Sequence, residues 1–380
     1  MPQKKIAILT QPLKSNYGGI IQNFALQKVL KENGFNVTTV DRDYKEYSKF
    51  KLTLNLIKRK LINIFKGNKQ FIISYKNKKN IFSNSSYFID NNINRTKKIR
   101  STIDLKKHFE QNKYDAVIVG SDQVWRPMYS PNIYNYFFDF LEDNQNIKKI
   151  SYAASFGTDK WEFTNEQTVS CKKLVKQFDL ITVREKSAIN LVKDHFSRNA
   201  QFVIDPTLLI DKQEYINLIS SKTININYKG IYTYVLDRNE EKNIIINKIE
   251  NDLGLTSFFC QPKCAITNPI SKNIDDYKYP PMEEWLNGFY SADFVITDSF
   301  HGTVFSIIFN KPFIAIVNKE RGASRFESLL SELGLLDRLI YNFSEKEIDN
   351  ILSKSINFEE VNSKIQKLKL KSLELLLKEL

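Results

Sequence analysis

The sequence predicts an α/β protein built from parallel sheets in two halves. Three observations carry this. Short apolar, β-branched runs recur along the chain, and each ends in a polar loop that opens a helical stretch. That alternation fills residues 5–207 and resumes after residue 230. The length of 380 residues exceeds one typical domain, so two is the default. Parallel strands need helical crossovers on the sheet faces, and the alternation supplies them.

Taken in order, Lys5 to Thr10 is the first strand and Asn16-Tyr17-Gly18-Gly19 closes the loop after it. Ile20 to Asn33 has apolar residues near helical spacing, with Gly34 at the position that ends a helix. Val37 to Val40 is the second strand. The loop is not G-x-G-x-x-G, so no dinucleotide is predicted, but its glycines allow a close approach by a ligand. Residues 44–100 form a basic insert. Residues 51–80 hold nine basic side chains and no acidic one, with Leu54, Ile57, Leu61, Ile64 and Phe65 at helical steps. A basic amphipathic helix fits an anionic membrane surface or the protein's own core. Ser83 to Arg100 is Asn-rich and reads as a connector.

Leu105 to Glu110 is a short helix, and Tyr114 to Val119 a buried strand ending in Gly120-Ser121-Asp122. Lys149 to Ala154 and Leu180 to Val183 are strands ending in Ser155-Phe156-Gly157 and Arg184-Glu185. Helices follow at 165–177 and 188–194, and Asp205-Pro206-Thr207 closes the half. In the second half, Gly230 to Leu236, Thr256 to Cys260, Phe294 to Thr297 and Phe313 to Val317 are strands. Helices are predicted at 240–253, 282–290, 303–309, 326–333 and 358–380. The expected organisation is an N-terminal domain over 1–210, a C-terminal domain over 211–345 and a helical tail over 346–380.

The candidate site is the polar turn Asp298 to Gly302. His301 lies there beyond a strand end, where α/β sheets bind ligands against helix N-termini. His108 and His195 sit on polar helices and read as surface residues. The formal charge of +13 points to anionic partners, although no nucleic-acid motif accompanies it. Three cysteines, with only Cys260 and Cys264 close together, fit neither a disulfide framework nor a zinc ribbon. No run of about 18 apolar residues is present, and the N-terminal apolar run is too short for a signal peptide. The expected location is cytoplasmic.

NYGG at 16–19, GSDQVW at 120–125, SYAASFG at 151–157, VREKS at 183–187, DPT at 205–207 and SFHG-x5-I-x3-PF at 299–313 occur in that order. Together they resemble the polysaccharide pyruvyl transferase family. The resemblance covers residues 5 to about 330 and leaves the insert uncovered. It implies two Rossmann-like domains facing a cleft, as in GT-B glycosyltransferases. It also implies transfer of the pyruvyl group of phosphoenolpyruvate to two hydroxyls of a sugar, in a cell-surface glycan or its lipid-linked precursor. Phosphate is released, no further cofactor takes part, and acid–base and electrostatic catalysis need no metal. An acceptor at a membrane would give the basic stretch 51–80 a purpose.

The resemblance places His301 as donor contact or proton donor and Arg184 as holder of a carboxylate or phosphate. Lys319 is expected on the donor, with Arg321 and Arg325 as rivals, and Ser299 and Gly302 beside them. Asp122 or Glu185 is the expected base, with Asp122 preferred; either could instead be a structural partner of Arg184, a role that suits Glu185 better. Asn16, Tyr17 and Gly18 are expected on the acceptor side. Two other readings stay open: a nucleotide-sugar glycosyltransferase on the same architecture, and a non-catalytic peripheral membrane protein.

Overall fold

The computed structural model of the protein describes residues 3–45, 71, 73–142, 144–221, 229–267, 269–317 and 322–380. Most of the basic stretch at 51–80, together with Lys319 and Arg321, lies outside the described residues.

The first lobe holds six parallel strands: β1 (Lys5–Leu9), β2 (Asn36–Val40), β3 (Ala116–Val119), β4 (Lys148–Ala154), β5 (Leu180–Val183) and β6 (Gln201–Phe202). Their order across the sheet is β2-β1-β3-β4-β5-β6. The second lobe holds five: β7 (Ile231–Tyr234), β8 (Ser257–Phe258), β9 (Phe294–Thr297), β10 (Phe313–Ile316) and β11 (Leu339–Ile340). Their order is β11-β10-β9-β7-β8, again all parallel. Helices cover both faces, so β3, β5, β7, β9 and β10 are buried along their whole length. This is why they read as unbroken apolar runs rather than alternating ones.

Each sheet reverses its winding once, between β1 and β3 and between β7 and β9. Connections leave such a point in opposite directions and open a crevice beyond the strand ends. The Asn16 and Asp122 loops flank the first crevice, and the His301 turn stands at the second. The long helix Phe358–Glu379 crosses back to the first lobe, where Ser372 Oγ accepts from the Ile204 amide at 3.3 Å. No described helix is long and apolar enough to cross a membrane.

Several elements differ from expectation. The Asn-rich connector contains a helix, Ser83–Asn92. Its composition favours loop, but Phe88 and Ile89 are buried, with Phe88 edge-on to Phe24 at 6.0 Å. Tertiary packing overrides weak local propensity there. The described end of the basic stretch is the helix Tyr75–Ile81. Ile73 and Ile81 bury against Tyr277 in a small core shared with the second lobe. The insert therefore bridges the lobes. His108 and His195 are half-buried rather than surface residues, and His195 stacks on Trp161 at 3.9 Å.

Two corrections concern helix starts. The first long helix begins at Tyr17, not Ile20, and the helix after β9 begins at Phe300, not Thr303. In the second case Ser299 is the cap. Its carbonyl accepts from the Thr303 amide at 3.0 Å and its Oγ from the Gly302 amide at 3.4 Å. His301 thus lies in the first turn, at the positive end of the helix.

Candidate active site

The two helix starts meet. A Cβ on Gly18 would stand 2.0 Å from His301 Nδ1, so only glycine lets the first lobe approach the imidazole this closely. On the other side of the ring, His301 Nε2 is 3.6 Å from Asp205 Oδ2. That is ion-pair distance and too long for a hydrogen bond, and Nε2 is buried without a hydrogen-bond partner among the described residues.

Asp205 organises the cluster. Its Oδ2 accepts from Arg184 Nη1 at 2.8 Å and Ser121 Oγ at 2.9 Å. Its Oδ1 accepts from the Thr207 amide at 3.0 Å and Thr207 Oγ1 at 2.7 Å. Burial alone would raise this carboxyl. The His301 and Arg184 charges and the Thr207 amide more than offset that and hold it well below the usual carboxylate range. Nothing in the composition of DPT singles out this aspartate; its partners arrive from β3, β5 and the second lobe.

Arg184 is 2% exposed. Its Nη1 makes two hydrogen bonds; Nε and Nη2 are buried with no hydrogen-bond partner among the described residues, although Nη2 stands at ion-pair distance, 3.8 Å, from Asp122 Oδ1. Its guanidinium lies 4.7 Å from the centre of the Phe300 ring, in the first turn of the His301 helix. The Arg325 guanidinium approaches the same ring at 5.9 Å. Arg325 is 6% exposed, and burial together with the neighbouring Arg184 charge lowers it to about 10.

Asp122 takes a left-handed backbone, with φ of 84°, at the end of β3. Asn16 Nδ2 donates to its Oδ2 at 2.9 Å, the Gln123 amide donates to its Oδ1 at 2.8 Å, and Arg184 Nη2 stands 3.8 Å away. Strained backbone of this kind concentrates at functional sites. A Cβ on Gly19 would lie 2.9 Å from Asp122 Oδ2, so the second glycine of NYGG also makes room.

Glu185 does not pair with Arg184 as expected. Its Oε1 accepts from Ser155 Oγ at 2.9 Å and from the Phe156 and Gly157 amides at 2.7 and 3.2 Å. Burial raises its carboxyl, against the pull of Arg184 and Arg325. It anchors the 155–157 loop. Tyr17 is likewise not an open acceptor contact: it is buried, stacks on Trp285 at 5.2 Å and donates to the Pro280 carbonyl at 2.6 Å. It ties the lobes together. Asn16 is exposed beside it and keeps its place on the open side. Ser299 and Gly302 have internal tasks, as cap and as close packing on Thr297, where a Cβ would come within 2.1 Å of Oγ1. Beneath them Asp298 pairs with Lys242 Nζ at 2.6 Å and accepts from the Leu236 amide at 2.6 Å.

The structure therefore gathers His301, Arg184, Asp122, Asp205 and Arg325 from two lobes, none more than 6% exposed. Buried cations at opposed helix starts, with Arg184 Nε and Nη2 lacking hydrogen-bond partners among the described residues, suit a small anion of high charge.

Known proteins share this two-lobed fold. Two UDP-N-acetylglucosamine 2-epimerases superimpose over nearly their full length. That from Rickettsia bellii gives a TM-score of 0.54 at 10% identity, covering 99% of this chain and 96% of its own. That from Neisseria meningitidis, bound to UDP-GlcNAc, gives 0.55 at 11%, covering 99% and 100%. At this identity the likeness is one of fold, the two-lobed GT-B type. No curated protein matches the chain in sequence. The model for polysaccharide pyruvyl transferase matches residues 16–320, spanning every strand-end loop described above, and the chain belongs to that family.

Proposed function

We propose that the protein transfers the pyruvyl group of phosphoenolpyruvate to two hydroxyls of one sugar, closing a cyclic ketal and releasing phosphate. The observation that carries this is the buried Arg184–Asp205–His301 cluster, in which Arg184 Nε, Arg184 Nη2 and His301 Nε2 lack hydrogen-bond partners among the described residues. A donor with a carboxylate and a phosphate satisfies such groups.

In this reading His301, beside Asp205, delivers a proton to the methylene carbon, and C2 becomes electrophilic. The first sugar hydroxyl bonds to C2. The C–O bond to phosphate then breaks, and the second hydroxyl bonds in its place. Two hydroxyl protons are given up: one balances the new methyl group and the other leaves on phosphate. Asp122, which accepts from exposed Asn16, takes a hydroxyl proton in this reading. The acceptor is a sugar of a cell-surface glycan or its lipid-linked precursor. The basic stretch around 51–80 brings the enzyme to the anionic membrane face that carries it.

Thermal unfolding with phosphoenolpyruvate tests this. At about 100 times its Kd a ligand adds roughly 2.7 kcal/mol of stability. A shift in the wild type that His301→Ala and Arg184→Ala abolish is expected. A shift with nucleotide sugars alone would transfer the protein to the glycosyltransferases.

A further inference from the structure

We propose that the donor's phosphate sits at the start of the helix Ser324–Leu333, held by Ser324 and Arg325, while Arg184 takes its carboxylate. This deepens the phosphoenolpyruvate reading and rests on it for the identity of the ligand. The anion subsite itself stands on the geometry.

The helix Ser324–Leu333 has ten residues, and among the described residues no side chain caps its first turn. Its N–H groups and macrodipole favour an anion there. A second observation points the same way. Ser324 is 8% exposed, and its Oγ is buried with no hydrogen-bond partner among the described residues. A buried hydroxyl without a partner is rare and destabilising unless a ligand completes it. Arg325, the next residue, brings a buried cation to the same turn and shares the Phe300 ring with Arg184. The turn is also fixed in place. Gly322 has φ of +81°, and a Cβ on it would lie 2.5 Å from the Gly157 carbonyl oxygen. The helix start is thus wedged against the loop that Glu185 anchors, on the Arg184 side of the lobe interface.

The division of labour follows from shape. Asp205 and Ser121 occupy Nη1 of Arg184 and leave Nε and Nη2, two parallel donors along one edge. That edge matches the two oxygens of a planar carboxylate. A phosphate monoester presents three oxygens in a pyramid, which a helix start, a hydroxyl and a second guanidinium satisfy together. Phosphate would then leave toward the second lobe while the pyruvyl carbons stay against the first.

Isothermal titration of the full chain separates the two ends, with inorganic phosphate and pyruvate as probes. Arg325→Ala should weaken phosphate by about tenfold or more while leaving pyruvate within about twofold. Arg184→Ala should do the reverse. Ser324→Ala, a change too small to threaten folding, should weaken phosphate alone by about threefold or more. Phosphate affinity that survives both Ser324→Ala and Arg325→Ala, or wild-type protein that binds no phosphate, overturns the assignment. Phosphate binding that depends on Ser324 and Arg325 in a protein that phosphoenolpyruvate does not stabilise would keep the subsite and remove the pyruvyl transfer.

Discussion

Replacing Asp205 by Asn keeps the shape of the side chain and removes its charge. The carboxylate has partners on both oxygens: Thr207 holds Oδ1, and Arg184 and Ser121 hold Oδ2. An amide satisfies one side only. With its oxygen toward Thr207, the NH2 group faces the Arg184 guanidinium, donor against donor. Flipped, it turns donors toward the Thr207 amide. Either way Arg184, 2% exposed, loses its hydrogen-bonded counter-charge at 2.8 Å and keeps, among the described residues, only the ion pair with Asp122 at 3.8 Å. Breaking such a pair costs about 3–5 kcal/mol. For a lobe of this size that is a fall of roughly 6–20 °C in Tm by scanning calorimetry. The loss also depends on pH. The folded Asp205 carboxyl sits well below its usual range, so its contribution is complete above the unfolded value of about 3.9 and fades as pH falls further. The gap between wild type and Asp205→Asn should therefore be constant from about pH 7 to 5 and narrow below about 4. A loss under about 1 kcal/mol at pH 7, or a gap that widens in acid, would refute this account of the cluster.

The neighbouring carboxylate should behave in the opposite way. Among the described residues, Glu185 accepts three hydrogen bonds on Oε1, and Oε2 is buried without a hydrogen-bond partner. Its folded value is raised, so ionisation penalises the fold increasingly as pH rises through that value. Glu185→Gln should match wild type in acid and equal or exceed its stability at pH 7–8, as urea midpoints at several pH values would show. Gly18→Ala should displace His301, the proposed acid, and lower kcat of the proposed reaction by about tenfold or more, with circular dichroism unchanged, since small misplacements of a reacting group are expensive. Lys242→Met strands Asp298, which is 1% exposed, and should destabilise the second lobe by about 3–5 kcal/mol in calorimetry. Co-sedimentation with phosphatidylserine vesicles should be strong at low salt and fall when Lys76, Lys78 and Lys79 are changed to Gln; binding that ignores salt would exclude an electrostatic approach.

Much of this fold was legible because buried parallel strands leave a one-dimensional trace. Phe294–Thr297 is apolar on both faces, so the run reads as a strand without knowledge of its neighbours. The loops after such strands were legible for the same reason, and His301 and Arg184 lie at strand ends. What stayed hidden depends on the third dimension. Asp205 has no local feature that marks it, because Arg184 and Ser121 reach it from other strands and His301 from the other lobe. The helix Ser83–Asn92 exists through Phe88 and Ile89 against the first long helix, a contact that Asn-rich composition conceals. Helix starts moved by three residues in two cases; in the second, the Ser299 cap sets the boundary, while the first helix starts at Tyr17 without a side-chain cap among the described residues.

The glycines of NYGG show how the site depends on both lobes. Read locally, Gly18 and Gly19 suggest a tight turn, yet both lie within a regular helix that glycine weakens. Their cost is met by what they admit: His301 against Gly18, and Asp122 against Gly19. Tyr17, between them and Asn16, fastens the same turn to Trp285 and Pro280 of the second lobe. One short segment therefore makes room for the proposed acid, makes room for the proposed base and locks the lobes at the distance where both face Arg184. Asp205, Arg184 and His301 are deeply buried, so the proposed donor reaches them only if this contact opens. In the proposed reaction, lobe closure and assembly of the acid and base would then be one event, keeping the protonated donor away from water until the sugar hydroxyls are in place.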